Sequence, residues 1–377
     1  MSIRHKKMLK LCFVGRYNPG ELFQGPEKVA RRIADEMILL GHHVYFYEYF
    51  FSGRSYGYWT KLFGYDTIEI SAGRYIFRVG IVPFIFVILR RRFDVIHIIT
   101  FERFAVIVLL MKWFVGSKVV FTVHGIVRHE NQYLRKGLRQ SLIIKDRIIE
   151  RAFIERSDLV LFLSEESRLL AGKYYKLDSK RTSLIPNGID SAFHDSFQRR
   201  KIIHKKTVDL VFVGDIARPE KGFDFLVRVL DQTKSPFRLF VVSPRYAHRP
   251  AEAHGVEFIF TDKMSGEDFA DWLKDKDIFI SASSYEQFSL VAAEAMAAGI
   301  TVVATKETGF ARYIVNGVNG FVVSFGNVEQ LATVLTRLCA DKALRQQVGA
   351  RGAEIYSVLS WEQVAQQYLE FYEKLIA

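Results

Sequence analysis

The sequence predicts an α/β fold made of two doubly wound domains, and three observations lead to this prediction. The chain has 377 residues, which is too long for one ordinary hydrophobic core. Apolar, β-branched runs alternate with segments of helical period throughout, and the alternation starts again after a charged segment at residues 191–207. Strands this apolar are typical of parallel sheets that helices cover on both faces.

The first series of strands and helices predicts a Rossmann-like domain over residues 1–190. Its helix at 26–41 has Pro26 in the first turn and ends at Gly41, which are typical start and stop signals. Six strands are predicted in this domain, at 10–15, 43–50, 93–99, 118–125, 158–164 and 182–188.

The second series predicts a second Rossmann-like domain over residues 208–360, with 191–207 as the linker and a closing helix at 361–377 that can pack back on the first domain. Two such domains are expected to face each other across a cleft, with the ligand at the carboxyl ends of the strands. Six strands are predicted here, at 208–214, 237–243, 256–260, 277–283, 300–305 and 320–324.

Composition excludes several classes of protein. Two cysteines, Cys12 and Cys339, make neither a disulfide framework nor a metal cluster, so a reducing cytoplasm is expected. No secretory signal is apparent. The longest apolar run, at 79–89, is about half the length of a bilayer span, and Pro83 interrupts it.

The basic charge lies in the first half of the chain. Residues 1–190 hold 31 Lys and Arg against 18 Asp and Glu, whereas residues 191–377 hold 22 against 23. This asymmetry favours a surface that meets an anionic partner, such as membrane lipid, a phosphorylated lipid carrier, an acidic glycan or nucleic acid. A solvated basic face is the alternative.

Two glutamates, Glu286 and Glu294, flank an alanine-rich run. We predict that Glu286 lies in a strand-to-helix loop, that Ser289 caps a helix over 290–298, and that Gly299 ends it. A helix N-terminus at the carboxyl edge of a sheet can bind a phosphate, and the acids can bind hydroxyls beside it. Spacing alone favours the alternative, in which Glu294 is a surface residue of the helix and Glu286 a turn residue, because pairs of acids are common.

The segment "EQFSLVAAEAMAAGITVVAT" resembles the E-x7-E segment of the retaining glycosyltransferases of family 4, whose fold is GT-B. Further matches follow the family's order along the chain, from about residue 10 to the end. They are "FQGPEKVARRIADEMILLGHHV", "VVFTVHG", "LIPNGID", "VDLVFVGDIARPEKGFDFLV" and "TGFARYIVNGVNGFVV". The resemblance implies retention at the anomeric carbon, with the leaving phosphate helping to deprotonate the acceptor hydroxyl.

The resemblance also implies roles for single residues, with Glu286, His124 and Lys221 as the catalytic ones. Glu286 would bind the donor sugar's hydroxyls, Glu294 the ribose hydroxyls and Lys221 the diphosphate. His124 would face the donor sugar from the first domain, and Gly25 would let backbone approach the reaction centre. The remaining donor-binding residues would be Gly214 and Arg218 together with Phe288, Ser289 and Leu290, the last three through their backbone amides.

This chain departs from the family's pattern at a few positions. Asp215 stands where an arginine usually follows the glycine, and Arg218 is the candidate to replace that cation. Arg312 stands where the family often has a glutamate. Asp275 and Asp277 form a D-x-D, but they lie at a helix end before a buried strand, so we predict a structural role, no catalytic metal and no cofactor.

The resemblance implies a metal-independent glycosyltransferase that uses a nucleotide sugar, UDP- or GDP-linked, and a glycan or lipid-linked acceptor. Bacterial surface polysaccharide or lipopolysaccharide synthesis would be its setting, in the cytoplasm or peripherally on the inner face of the membrane. Basic side chains of the first half are candidates for the acceptor and membrane surface: Arg90, Arg91, Arg92, Arg128, Arg135, Lys136 and Arg139.

Two other functions stay open on the sequence. A nucleotide-sugar epimerase would keep the fold and change the reaction, although the E-x7-E and "EKG" segments together argue against it. A basic protein that binds nucleic acid is the alternative from another class. Nothing in the chain resembles a recognition module, so no nucleic acid is expected as partner.

Overall fold

The computed structural model describes residues 8–16, 25–49, 58–71, 74–132, 140–200, 207–233, 235–243 and 253–377. The chain forms two compact units. Unit 1 contains Met1–Pro186 and Val364–Ala377, and unit 2 contains Asn187–Gln363. The prediction of an α/β chain with two doubly wound sheets is confirmed, because each unit holds one mainly or wholly parallel sheet with a reversal in strand order.

Unit 1 is built on an eight-stranded sheet of order β3-β4-β2-β1-β5-β6-β7-β8, in which only β3 runs antiparallel to its neighbour. The chain winds outward in both directions from the β1–β5 pair, as a doubly wound sheet does. Its strands are β1 Lys10–Val14, β2 His43–Tyr49, β3 Tyr65–Ser71, β4 Arg74–Val79, β5 Val95–Ile98, β6 Lys118–Val123, β7 Leu159–Phe162 and β8 Thr182–Leu184.

Helices cover both faces of this sheet. The helices that precede β8 are α1 Gly25–Leu39, α2 Tyr58–Phe63, α3 Ile81–Arg91, α4 Val106–Val115, α5 Val127–Glu130, α6 Gln140–Arg156 and α7 Glu165–Gly172. Residues of α3, α4 and α6 share one core cluster with Ile96 and Ile98 of β5. His97 points to the other face, because side chains alternate along a strand, and there it contacts the last helix of the chain.

That last helix is α15 Trp361–Ile376, and its residues from Val364 onward belong to unit 1. The Tyr372 hydroxyl lies 2.7 Å from Nδ1 of His97, and Nε2 of His97 lies 2.7 Å from the Thr122 hydroxyl. All three residues are buried. A polar chain through the core therefore joins α15 to the strands β5 and β6.

Unit 2 has a six-stranded parallel sheet of order β11-β10-β9-β12-β13-β14. Its strands are β9 Val208–Val213, β10 Phe237–Val242, β11 Val256–Thr261, β12 Ile278–Ser281, β13 Thr301–Thr305 and β14 Phe321–Val323. Its helices are α8 Ser191–Gln198, α9 Phe223–Thr233, α10 Gly266–Leu273, α11 Leu290–Ala297, α12 Val328–Ala340, α13 Lys342–Ala353 and α14 Tyr356–Leu359.

The structure differs from the sequence prediction at the linker. Residues 191–198 of the predicted linker form helix α8 within unit 2. Phe193 is fully buried, and its ring lies 6.1 Å from that of Phe269 in α10. The charged flanks of this segment suggested a solvated connection, whereas two buried phenylalanine rings hold the helix against the second unit.

A pair of strands in unit 1 was not predicted. Strands β3 and β4 form an antiparallel hairpin, Tyr65 pairing with Val79, at the edge of the sheet. Strands were predicted from continuous apolar runs, which are typical of strands buried on both faces. These two strands carry charged residues among the apolar ones, as an edge hairpin with a solvated side does.

Candidate functional site

The candidate site in unit 2 lies where the strand order reverses. From β9 the chain first moves to β10 and β11, and it then returns to the other side of β9 with β12. Strands β9 and β12 pair in parallel, so the loops that follow them leave the same edge of the sheet. In doubly wound sheets, this reversal leaves a crevice at the carboxyl edge where ligands bind.

Backbone contacts join the two loops at this crevice. The N–H of Ser284 donates to the carbonyl of Glu220 at 2.8 Å. Gly222 has a φ of +72°, and a Cβ at this position would overlap the carbonyl oxygen of Ala282. Only glycine fits both the left-handed backbone and the close approach. The loop after β9 is therefore fixed against the loop after β12.

This arrangement brings together two of the residues predicted to be catalytic. The Lys221 ammonium lies 3.1 Å from Oε1 of Glu286, and both side chains are about a quarter exposed. The Ser283 hydroxyl donates to Oε2 of Glu286 at 3.2 Å. Gly214, another predicted residue, lies beside Lys221, since a Cβ there would be 3.5 Å from the Lys221 Cγ. The crevice thus presents an oriented cation and an oriented carboxylate to solvent.

Helix α11 begins next to this ion pair. The predicted helix and its stop are confirmed, because α11 spans Leu290–Ala297 and Gly299 has a φ of +70°. The predicted cap is only partly right. Ser289 occupies the N-cap position, but its side chain makes no capping hydrogen bond and its Oγ lies 3.3 Å from Oγ of Ser281.

The backbone of Ser289 is unusual. Its φ of +71° lies in the left-handed region, which few residues other than glycine adopt. Such strain is concentrated at functional sites and is held by the surrounding structure. Because no side chain caps the first turn of α11 at Ser289, the N-terminal N–H groups of this helix are left for a ligand or water.

Glu294 is buried within α11. Only 4% of its surface is exposed, in a helix whose other residues from Ala292 to Ala297 are also buried. This burial rules out the interpretation of Glu294 as a surface acid. Acids are rarely buried to this degree without a specific polar role. Glu286 therefore lies in the loop, and Glu294 lies inside the helix that follows this loop.

The loop after β9 holds the candidate phosphate-binding residues. Asp215, at the usual arginine position, accepts a hydrogen bond from the N–H of Ala217 at 3.0 Å and so shapes the turn. The Arg218 guanidinium, half exposed, donates from Nε to Oε1 of Glu220 at 2.5 Å, and Glu220 is 2% exposed. Arg218 is therefore held at the crevice by a buried carboxylate that the sequence analysis did not single out.

The two predicted residues on either side of Ser289 differ in environment. Phe288 is buried, and its ring lies 5.6 Å from that of Phe310 and 6.1 Å from that of Tyr313. The Arg312 guanidinium lies 5.7 Å from the Tyr313 ring. Leu290 is the first residue of α11 and is partly buried. Packing of the Phe288 ring thus holds in place its backbone N–H, the group that is predicted to contact the donor.

In unit 1, His124 directly follows β6 at the carboxyl edge of that sheet. Burial lowers the pKa of His124 to about 4, although a hydrogen bond to the backbone of Ile99 opposes the shift. Its Nε2 has no hydrogen-bond partner among the described residues. His124 is therefore neutral at pH 7, and its Nε2 is a buried nitrogen without a hydrogen bond in the described part of the chain.

Glu150 fixes the segment after His124 and was missed by the sequence analysis. This buried carboxylate accepts hydrogen bonds from the N–H groups of Val127 at 2.6 Å and Arg128 at 3.0 Å, and from the Tyr175 hydroxyl. Burial raises its pKa, against these hydrogen bonds. A single glutamate in a helix gives no sequence signal for this role.

The other predicted residues of unit 1 lie apart from one another. Gly25 is the exposed first residue of α1, and a Cβ there would meet nothing within 4 Å. The Arg128 guanidinium lies 5.1 Å from the Tyr174 ring. Arg90, Arg91 and Arg92 end α3 just before β5 starts. They therefore lie at the edge where strands begin, opposite His124; Arg135, Lys136 and Arg139 lie outside the described residues.

The D-x-D pair lies at the amino edge of the unit 2 sheet, just before β12. Oδ2 of Asp277 accepts from the N–H of Asp209 at 2.9 Å, which anchors the start of β9. The described residues contain no cluster of three or more His, Cys, Asp or Glu with the geometry of a metal site. In the same part of the chain, no helix combines the length and apolarity needed to cross a bilayer.

Comparison with known proteins assigns the family. Residues 23–193 match the family described as Glycosyltransferase Family 4, and residues 194–355 match the one described as Glycosyl transferases group 1. The chain belongs to these glycosyltransferases. This confirms the resemblance drawn from the E-x7-E segment and the motifs around it.

Individual glycosyltransferases show how far the similarity extends. The lipopolysaccharide 1,2-N-acetylglucosaminetransferase of Salmonella typhimurium is 27% identical over 218 residues, which are 52% of this chain and 57% of that protein. Sucrose-phosphate synthase from Thermosynechococcus elongatus has a TM-score of 0.75 at 19% identity, covering 97% of this chain and 98% of that one. Anabaena HepE in complex with UDP-glucose has a TM-score of 0.68 at 16% identity, covering 97% and 100%.

Proposed function

We propose that this chain is a retaining glycosyltransferase that moves a sugar from a UDP- or GDP-sugar to a glycan or lipid-linked acceptor. The observation that carries the proposal is the Lys221–Glu286 ion pair at the strand-order reversal of unit 2, with buried Glu294 on the helix that starts beside it. A nucleotide sugar offers both phosphates for a cation and hydroxyls for two carboxylates.

The donor site follows from the positions of these groups. Lys221 and the N-terminal N–H groups of α11 are the positive groups that would bind the diphosphate. Once the diphosphate attracts Lys221, the Glu286 carboxylate is available to accept hydrogen bonds from the sugar hydroxyls. Glu294 would accept hydrogen bonds from the ribose hydroxyls.

The reaction needs a good leaving group more than a strong base. The bond between the anomeric carbon and the diphosphate oxygen breaks, and the acceptor oxygen forms a bond to that carbon on the same face. The acceptor's proton passes to a phosphate oxygen of the leaving diphosphate. Lys221 and α11 would stabilise the charge that develops on that diphosphate, which can replace a metal ion in this role. For His124, in unit 1, the role implied by the family resemblance stays a prediction.

The relatives support the choice of substrates. The lipopolysaccharide relative supports a glycan acceptor, and we propose bacterial surface polysaccharide or lipopolysaccharide synthesis as the setting. The UDP-glucose complex of HepE makes a UDP-sugar the first donor to test.

A calorimetric screen of the full chain against UDP, GDP, ADP and UDP-glucose, in EDTA, tests the proposal. We expect one nucleotide class to bind, and Lys221→Met to weaken its binding by about tenfold to 100-fold because a charge-assisted contact to phosphate is lost. Lys263→Met, at an exposed lysine of unit 2, is the matched control and should bind as the wild type does.

The proton NMR spectrum of the product should then show the anomeric configuration of the donor. The proposed function is wrong if no nucleotide binds with or without Mg²⁺, or if both lysine variants bind equally well. Inversion at the anomeric carbon would refute the retaining mechanism alone.

A further inference from the structure

Helix α4 exposes a face of large apolar side chains. Leu110, Trp113 and Phe114 are 63%, 91% and 82% exposed. They are three and four residues apart, so they share one face of the helix. The opposite face is buried, with Val108 and Leu109 in the core of unit 1. An aromatic pair this exposed contributes nothing to packing within the described part of the chain.

The neighbouring helices extend this face. Helix α3 packs against α4, and both cover the same face of the sheet. Phe86 and Leu89 on α3 are 68% and 48% exposed. We call these exposed side chains of α3 and α4 the apolar helix surface: Phe86, Leu89, Leu110, Trp113 and Phe114. Helices α2 and α6, which contact α3 and α4 respectively, add four exposed side chains beside it: Trp59, Phe63, Ile144 and Ile148.

Basic side chains predominate around the apolar helix surface, although Lys112 of α4 pairs with Asp158. Neither α3 nor α4 contains an acidic residue. Arg90 and Arg92 are exposed where α3 ends. Lys118 and Arg156 are exposed where β6 begins and α6 ends, which is the same edge of the sheet that Trp113 and Phe114 approach. Aromatic rings flanked by arginine and lysine are typical of surfaces that lie in the headgroup region of a bilayer.

Unit 2 offers a contrast within the same chain. Its large apolar side chains with high exposure, among the described residues, are Val315, Val318 and Val358, and none is aromatic. The half of the chain that contains it also lacks the basic excess, with 22 basic against 23 acidic residues. Exposed aromatic rings and positive charge therefore occur together in unit 1.

We propose that unit 1 binds the surface of an anionic phospholipid bilayer through the apolar helix surface. Trp113 and Phe114 would insert among the lipid headgroups, while Arg90 and Arg92 would contact lipid phosphates. The positive charge argues against a second copy of this chain as the partner, because a contact between two copies of this surface would bring like charges together. This surface is independent of the donor site and stands whether or not the proposed reaction is correct.

Vesicle flotation tests the proposal, with the full chain and no nucleotide present. Wild type should float with vesicles of equal phosphatidylglycerol and phosphatidylcholine and far less with phosphatidylcholine alone. Trp113→Gln with Phe114→Gln should lower the partition coefficient by about tenfold or more, because two apolar anchors are lost. Arg90→Gln with Arg92→Gln should reduce the preference for the anionic vesicles and its sensitivity to salt.

Val318→Gln with Val358→Gln is the matched control, since it removes exposed apolar groups from unit 2. It should float as wild type does, and all variants should keep the wild-type unfolding midpoint. The proposal is overturned if wild type ignores anionic vesicles or if the aromatic variant still binds them fully. It is also overturned if light scattering shows a wild-type dimer that only the aromatic variant dissociates, because the surface then joins two copies.

Discussion

Gly222 allows Lys221 to reach Glu286. It combines a left-handed φ of +72° with a backbone that touches the carbonyl of Ala282. The hydrogen bond from Ser284 to Glu220 closes the same junction. The position of the candidate catalytic lysine is therefore set by backbone geometry rather than by its own side chain.

Replacing Gly222 by alanine should be far more costly than replacing another left-handed glycine. We expect Gly222→Ala to lower the free energy of unfolding by about 3 kcal/mol or more, because strain and steric overlap add. Gly255→Ala is the control, since Gly255 has a φ of +75° but its nearest neighbour to a Cβ lies 3.7 Å away. Gly255→Ala should lower the free energy of unfolding by about 1 kcal/mol. If urea unfolding shows that both variants lose the same free energy of unfolding, the contact between Gly222 and Ala282 does not constrain this position.

Some of these residues were predictable from the sequence and others were not. The residue types around the two glutamates predicted the loop, the helix and the glycine stop correctly, because these depend on local sequence. Ser283 and Glu220, which orient Glu286 and Arg218, gave no local signal. Both contacts are local, three and two residues apart in the chain, whereas the Lys221–Glu286 pair forms only when β9 and β12, distant in the chain, become neighbours in the sheet.

Among the elements, α15 has the most unusual anchoring. Tyr372 and Thr122 bind the two ring nitrogens of His97 inside the core of unit 1. Burial lowers the pKa of His97 to about 3, and His124 nearby adds to the shift. Among the residues that the structure describes, no acid faces His97, so the site holds the neutral ring: a charged ring would be buried without a counter-ion.

This buried histidine should make stability fall in mild acid. The folded-state pKa of about 3 lies below the ordinary value of 6.5, so the unfolded chain binds the proton first as the pH falls. Stabilisation is complete above pH 6.5 and is lost progressively toward pH 3. Between pH 7 and pH 5, His97 should account for a loss of about 2 kcal/mol.

Urea unfolding of wild type and His97→Asn at both pH values isolates this effect. Asparagine does not titrate, so the variant should be less stable at pH 7 but should lose less stability on acidification. An equal loss in both proteins would mean that His97 is not the group responsible. His124, whose pKa is lowered to about 4, should act in the same direction, and its titration is coupled to that of His97 because the two rings lie close enough to interact.

The pattern of apolar residues predicted most elements and missed those with mixed patterns. Strands buried on both faces have continuous apolar sequences, so the two parallel sheets were predictable. The β3–β4 hairpin lies at the edge of its sheet and has charged residues among the apolar ones, so no apolar run marks it. Helix α8 lies in the charged segment that was predicted to be the linker. Tertiary contacts, such as that between Phe193 and Phe269, decide such segments.

Across the whole molecule, chemistry and surface properties are divided between the units. Unit 2 carries the Lys221–Glu286 pair and buried Glu294, with nearly balanced charge in its half of the chain. Unit 1 carries His124, the basic excess and the apolar helix surface. This division fits a protein that takes its donor from solution with one unit and meets a lipid-bound acceptor with the other.

In the proposed donor site, the crevice of unit 2 binds a nucleotide sugar with Glu294 on the ribose. The most direct test compares the Kd of UDP, or the nucleotide chosen by the screen, with its 2′-deoxy and 3′-deoxy forms. Each is measured by calorimetry on wild type, Glu294→Gln and the exposed control Glu354→Gln. A double-mutant cycle then isolates the contact between Glu294 and the hydroxyl.

We predict that wild type and Glu354→Gln lose about tenfold in affinity, or about 1.4 kcal/mol, when a ribose hydroxyl is removed. Glu294→Gln should bind the ribose form more weakly and should be nearly insensitive to that removal. If Glu294→Gln discriminates against the deoxy nucleotides as strongly as wild type does, Glu294 does not hold the ribose, and the assignment of this crevice as the donor site is contradicted.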